Sequence, residues 1–186
     1  SRGEPLICRG LPAMLEYSRD KFLNLKVNTN ASLLTEKLCH VLLNGAVRTL
    51  VFSADAAEEP LYSQLRVGGS LERVLRNIEM FQKIRERDYP EVRILTRVSG
   101  VMVDESKQDM TSMQKLWSGL VDQISFVAYN PWENVYEVAP NEIEAPCSDL
   151  WRRMFVWYDG KVNPCDTDYQ SVLQVGMIGS ASIADL

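Results

Sequence analysis

Apolar positions along the chain follow two spacings, one typical of helices and one typical of strands. Leu34, Leu38 and Val41 repeat at intervals of three to four residues, and Leu71 to Ile84 carries the clearest pattern of this kind. Thr49 to Phe52 is instead a short apolar run, which is typical of a buried strand. The pattern predicts four helix–strand pairs in succession. The predicted strands cover residues 23–29, 48–53, 92–98 and 124–129.

Alternation of helices and strands predicts parallel strands that are covered by helices. The segments are short and evenly spaced, so we predict an α/β fold, a partial (β/α) barrel of four parallel strands in sequential order with outer helices. In such folds the reactive face is formed by the C-terminal ends of the strands. Ordinary turn chemistry is the alternative explanation for polar residues at these points. The polar residues at or just after the predicted strand ends are Thr29, Asn30, Ser53, Asp55, Ser99 and Asn130.

The pattern changes near residue 140, where prolines and glycines separate short segments. Asp159-Gly160 lies between Met154–Tyr158 and Lys161-Val162, which is a strong hairpin signal. We therefore divide the chain into a (β/α) domain, residues 1–138, and a small module that contains a hairpin, residues 139–186.

Charge and composition exclude several classes of protein. The 186 residues carry a formal net charge of −5, which argues against a protein that grips nucleic acid through its phosphates. No apolar run approaches the ~20 residues that span a bilayer, and there is no leader pattern, so we expect a cytoplasmic protein without a membrane partner. Four cysteines are too few for a disulfide scaffold, and the single histidine, His40, cannot form a multi-histidine metal site.

Several short motifs occur in a fixed order along the predicted (β/α) domain. Arg2-Gly3-Glu4-Pro5 stands near the start, Thr29-Asn30 ends the first strand, Ser53-Ala54-Asp55 ends the second, and Arg66-Val67-Gly68-Gly69 follows. Together they resemble the core of radical S-adenosylmethionine (radical SAM) enzymes, from the end of the second strand to the sixth. In that family a Gly-Gly-Glu-Pro motif holds the amino group of S-adenosylmethionine, and here Arg2 replaces the first glycine.

The C-terminal module carries a second match. Twelve residues separate Cys147 from Gly160, and four separate Gly160 from Cys165. This spacing resembles the start of the SPASM module, an auxiliary iron–sulfur domain that is appended to many radical SAM enzymes. The resemblance implies that Cys147 and Cys165 are thiolate ligands of an auxiliary cluster. A zinc site and a pair of plain thiols are the alternatives.

The resemblance also implies roles for individual residues in binding S-adenosylmethionine. Gly3 and Glu4 would contact its amino group, Ser53 its ribose or carboxylate, and Arg66 its carboxylate. The alternatives are a solvated Glu4 before a proline turn and a solvent-facing Arg66 in a loop. Asp55 is expected to begin the following loop and to bind nothing. The predicted cofactor-binding set is completed by Thr29, Asn30 and Asn130.

The family's defining motif, Cys-x3-Cys-x2-Cys, does not occur in this sequence, and Cys8 and Cys39 have the wrong spacing to replace it. We therefore expect a fragment that is inactive as given. In the intact enzyme a 4Fe–4S cluster would drive cleavage of S-adenosylmethionine to a 5′-deoxyadenosyl radical. That radical would take a hydrogen atom from a peptide or a small, sugar-like substrate. A flavodoxin or ferredoxin is the expected electron donor. The alternative is a non-catalytic half-barrel that serves as a binding or interaction module.

Overall fold

The computed structural model describes residues 3–131, 135–137 and 145–185. Contacts within the chain divide it into a larger unit, Glu4–Tyr129, and a smaller unit, Asn130–Leu186 with the first three residues. The predicted domain boundary between residues 138 and 139 lies outside the described residues.

The larger unit is built on a sheet of four parallel strands in the order β1-β2-β3-β4. The strands are β1 (Leu25–Thr29), β2 (Val47–Ser53), β3 (Leu95–Met102) and β4 (Gln123–Ala128). Its α-helices are α1 (Leu11–Tyr17), α2 (Glu36–Asn44), α3 (Glu59–Leu65), α4 (Leu71–Asp88) and α5 (Met110–Trp117), and a 3-10 turn at Pro5–Ile7 precedes them. The predicted α/β fold with four parallel strands in sequential order is confirmed.

Two details of the predicted elements are wrong. The segment after Asp55, where that residue was expected to begin a loop, contains α3, whose seven residues bury Tyr62 but are too short to show a helical period. The third strand begins at Leu95 and not at Val92, because the Val92 N–H donates to the carbonyl of Tyr89 in a turn.

Three of the five α-helices begin at side-chain caps, and residues of all five pack with the strands in one core. Thr35, Ser70 and Asp109 each accept a hydrogen bond from a backbone N–H in the first turn of α2, α4 and α5. The aromatic rings of Phe52 and Phe81 meet edge to face, with centroids 6.1 Å apart, where β2 packs against α4. No helix in the described part of the chain is both long and apolar enough to cross a membrane.

The smaller unit contains a three-stranded antiparallel sheet. Its strands are β5 (Phe155–Val156), β6 (Lys161–Asn163) and β7 (Gly176–Met177), in the order β5-β6-β7. Gly160 has φ 87°, a left-handed conformation that favours glycine, and the Trp157 N–H donates to the Lys161 carbonyl across the turn. The predicted hairpin at Asp159-Gly160 is therefore confirmed.

Candidate functional site

The carboxylate of Glu4 ties the segment before α1 to the end of β1. The Thr29 hydroxyl donates to Glu4 Oε1 at 2.6 Å, and the Asn30 N–H donates to Oε2 at 2.7 Å. The Leu6 N–H also donates to Oε1, at 3.1 Å. Three predicted site residues therefore meet at the C-terminal end of β1. A carboxylate has about four lone-pair positions, so Glu4 retains capacity for a further donor such as an ammonium group.

Ser53 ends β2 at the same edge of the sheet, since Thr29 pairs with Phe52 in the register of β1 and β2. Ser53 is also level with Ser99 on β3 and Ser125 on β4. These three serines are half-buried and lie on the face away from the helices. Within the described ranges their hydroxyls have no hydrogen-bond partner. Three hydroxyl groups are therefore available to hydrogen-bond a ligand at this level of the sheet.

The same face of the sheet carries positive charge. Lys26 and Arg97 are its charged strand residues, although the whole chain has a net charge of −5. Arg97 donates from Nε and Nη2 to Gln123 Oε1, at 3.0 and 2.5 Å, and forms no ion pair with any carboxylate among the described residues. The field of these cations favours an anionic group of a ligand, such as a carboxylate, on this face.

Arg66 follows the last residue of α3 and is held by Asp55. Arg66 Nε donates to Asp55 Oδ2 at 2.6 Å, and the Val101 N–H donates to Asp55 Oδ1 at 2.8 Å. The Asp55 side chain is 9% exposed and that of Arg66 is 29% exposed. Arg66 is therefore anchored and not a freely solvated loop arginine. The expectation that Asp55 binds no ligand stays a prediction, and its oxygens accept both of these donors from within the chain.

Gln108 lies behind Asp55 and is 2% exposed. Its amide nitrogen donates to the carbonyls of Asp55 and Val101, at 2.8 and 2.7 Å. Its amide oxygen accepts from the N–H groups of Val103 and Asp104, at 2.6 and 2.8 Å. One side chain thus joins the loop after β2 to the loop after β3. Sequence reasoning missed it, because a lone glutamine before a helix cap belongs to no motif.

Two of the predicted cofactor-binding residues fall in the smaller unit. Gly3 has φ 145°, a backbone conformation that favours glycine. Asn130 is exposed. The predicted place of both residues beside Glu4 and Ser53 stays a prediction.

The cysteines do not belong to a group of three or more potential metal ligands in the described part of the chain. Cys147 is exposed, whereas Cys165 is half-buried with its Sγ 3.0 Å from Thr167 Oγ1, and both are free thiols. The structure shows no group there of three or more His, Cys, Asp or Glu side chains that could hold a metal ion. Burial raises the pKa of the Cys39 thiol in α2 to about 12. Cys8 directly follows the 3-10 turn.

Comparison with known proteins shows a likeness of fold alone. No family model and no curated protein matches the chain. The structure of SuiB from Streptococcus suis bound to the precursor peptide SuiA aligns with a TM-score of 0.65 at 16% identity. It covers 89% of this chain and 47% of SuiB. SuiB bound to S-adenosylmethionine aligns with a TM-score of 0.64 at 16% identity, over 88% and 47% of the two chains.

The chain thus spans about half the length of the solved structures that it matches. Its four-stranded parallel sheet lies within the part of the chain that shares the fold of SuiB.

Proposed function

We propose that the C-terminal end of this sheet binds S-adenosylmethionine, and that the chain is part of a radical SAM enzyme. The observation that carries the proposal is that Glu4 is bonded to the end of β1, Ser53 ends β2, and Arg66 is bonded to Asp55 just after β2. This is the end at which parallel (β/α) folds bind their ligands. The likeness in fold to SuiB, which has been solved with S-adenosylmethionine bound, supports the same ligand here.

The side chains suit the charged groups of this ligand. The Arg66 guanidinium can bind the carboxylate through paired N–H donors, and Glu4 can accept from the ammonium group beside the backbone of Gly3. Ser53 offers a hydroxyl to the ribose or the carboxylate, and Asn30 lies beside Glu4. Thr29 is buried and holds Glu4 in place.

Saturation-transfer NMR on the purified chain tests this binding and detects weak ligands. We expect S-adenosylmethionine to receive saturation, and the effect to fall in Ser53→Ala and Arg66→Met. Ser118→Ala, an exposed serine after α5, is the matched control and should not change it. We expect an affinity weaker than micromolar, because the motif for the cluster that would share this ligand is absent. No saturation transfer at millimolar ligand would refute the proposal and favour the non-catalytic interaction module.

The chain's own cysteines do not fit a radical SAM cluster, since the three-thiolate motif is missing. We therefore expect no 5′-deoxyadenosine when the purified chain is incubated anaerobically with S-adenosylmethionine and dithionite. Its formation above a no-protein control would contradict this expectation.

A peptide is the proposed substrate of the whole enzyme, and a sugar-like small molecule is the alternative. The similar protein SuiB was solved with a precursor peptide bound, which supports a peptide. A flavodoxin or ferredoxin is the proposed electron donor, and the free thiols fit a reducing cytoplasm.

Cys147 and Cys165 are proposed as thiolate ligands of an auxiliary iron–sulfur cluster. The β5–β6 hairpin returns the chain between them, as the SPASM resemblance requires. Anaerobic reconstitution should load less iron and sulfide in Cys147→Ala and Cys165→Ala than in Cys8→Ala, an exposed cysteine of the larger unit. Unchanged iron and sulfide in the first two variants would exclude these residues as ligands, and loading by zinc alone would favour a zinc site.

A further inference from the structure

We infer that Asp55 is a positioning residue, which orients Arg66 so that its two terminal nitrogens can bind the carboxylate of S-adenosylmethionine. This inference rests on the proposed function. It assigns a task to a residue that the sequence resemblance left without one.

One end of the Arg66 guanidinium is bonded to Asp55, and the other end is available to a ligand. Asp55 Oδ2 accepts a hydrogen bond from Arg66 Nε, at 2.6 Å. No other described residue bonds to this guanidinium, so Nη1 and Nη2 keep their donors. An arginine can bind one carboxylate at Nε and a second end-on through its terminal nitrogens. Asp55 is nearly buried while Arg66 is more exposed, so the free end of the fork is the accessible one.

Asp55 is itself fixed at two points. Its Oδ1 accepts from the Val101 N–H at 2.8 Å, and its carbonyl accepts from Gln108 at 2.8 Å. Holding the guanidinium in advance reduces the rotamer freedom that ligand binding would otherwise remove, and this strengthens binding.

Asparagine at position 55 disrupts this arrangement in a defined way. Both oxygens of Asp55 face donors, one from Val101 and one from Arg66. The amide of Asp55→Asn therefore places its NH₂ group against one donor in either orientation. If the backbone bond is kept, the NH₂ group faces Arg66 Nε and the guanidinium loses its anchor.

The chain offers a matched control at the opposite end of the same strands. Asp122 accepts from the Thr96 N–H at 2.8 Å and from Arg85 Nη1 at 3.2 Å. It thus also joins a backbone N–H to an arginine, but it lies where β3 and β4 begin. Because its donors all meet one oxygen, Oδ2, Asp122→Asn removes a negative charge beside an arginine and can keep these hydrogen bonds, without reaching the candidate site.

The test compares the affinities of two ligands, S-adenosylmethionine and decarboxylated S-adenosylmethionine, by NMR titration of the purified chain and its variants. We expect the wild type to prefer the ligand that carries the carboxylate. Asp55→Asn should weaken binding of S-adenosylmethionine by about tenfold and leave the decarboxylated ligand unchanged. Asp122→Asn should change neither affinity.

The outcomes separate the inference from the proposed function. If neither ligand binds the wild type, both fail. If the wild type prefers S-adenosylmethionine and Asp55→Asn keeps that preference, the positioning role alone is refuted. If Asp55→Asn does not fold, the same two affinities are measured in Arg66→Lys. Lysine can still pair with Asp55 but has no fork of donors, so this variant should lose the preference for S-adenosylmethionine. A lysine variant that keeps the wild-type preference would overturn the inference.

Discussion

Replacing Gln108 with methionine should lower the free energy of unfolding of the larger unit by about 2–4 kcal/mol. Methionine matches the length of glutamine and fits irregular space, so the change removes hydrogen bonds more than volume. Two carbonyls and two N–H groups lose their partner.

The magnitude depends on which of these groups water can reach. Val103 is exposed and Asp104 is half-buried, so their N–H groups can be solvated when the glutamine is absent. The carbonyl of Asp55 lies in a buried bond and that of Val101 in a partly buried one. A buried polar group without a partner costs ~1–3 kcal/mol, which applies to the Asp55 carbonyl, and the partly buried Val101 carbonyl adds the low end of that range, about 1 kcal/mol, so the total is about 2–4 kcal/mol.

Urea denaturation followed by circular dichroism at 222 nm measures the effect, because α1–α5 all belong to the larger unit. Gln114→Met is the matched control, since Gln114 is an exposed residue of α5, and it should change the free energy by less than about 0.5 kcal/mol. Equal stabilities of the two variants would refute the assignment of Gln108 as the side chain that joins the two loops.

Three further predictions concern single positions. Gly100→Ala should lower the free energy of unfolding in urea by about 1–3 kcal/mol, because its Cβ would lie 2.6 Å from the carbonyl oxygen of Ala54. Gly119→Ala is the control and should not change it, because a Cβ there meets no other atom within 4 Å. Buried Cys39 should resist iodoacetamide at pH 8, because its pKa of about 12 leaves only about one thiol in ten thousand as thiolate, whereas exposed Cys8 should react. Equal labelling of the two cysteines by mass spectrometry would contradict this. Burial raises the pKa of Asp122, but hydrogen bonds from a backbone N–H, a hydroxyl and an arginine outweigh it and lower the pKa overall. The difference in free energy of unfolding between the wild type and Asp122→Asn should therefore be largest above about pH 5 and should shrink as pH falls below about 4. A difference that does not depend on pH in urea titrations would contradict this.

The parallel sheet was predictable because its signals are local. Each strand and most helices show their own period, and caps such as Ser70 stand directly before the first apolar turn. The Asp159-Gly160 hairpin was predictable for the same reason, since the turn itself selects these two residue types.

The contacts that build the candidate site have no local signature. Asp55 meets Val101 and Gln108 across 46 and 53 positions of sequence, so only the folded sheet brings them together. Arg66 is closer in sequence to Asp55, but the short helix α3 that carries it to its partner shows no clear period. Family resemblance could therefore indicate which residues to examine, but it did not reveal how they are held.

Chemical-shift mapping of the isotope-labelled chain during titration with S-adenosylmethionine tests the central claim most directly. The account predicts that the largest shifts occur at Asn30, Ser53 and Arg66, at the C-terminal end of the sheet. Thr96 and Asp122, where β3 and β4 begin, should stay unchanged. Largest shifts at Thr96 and Asp122, or no shift at millimolar ligand, would contradict the account.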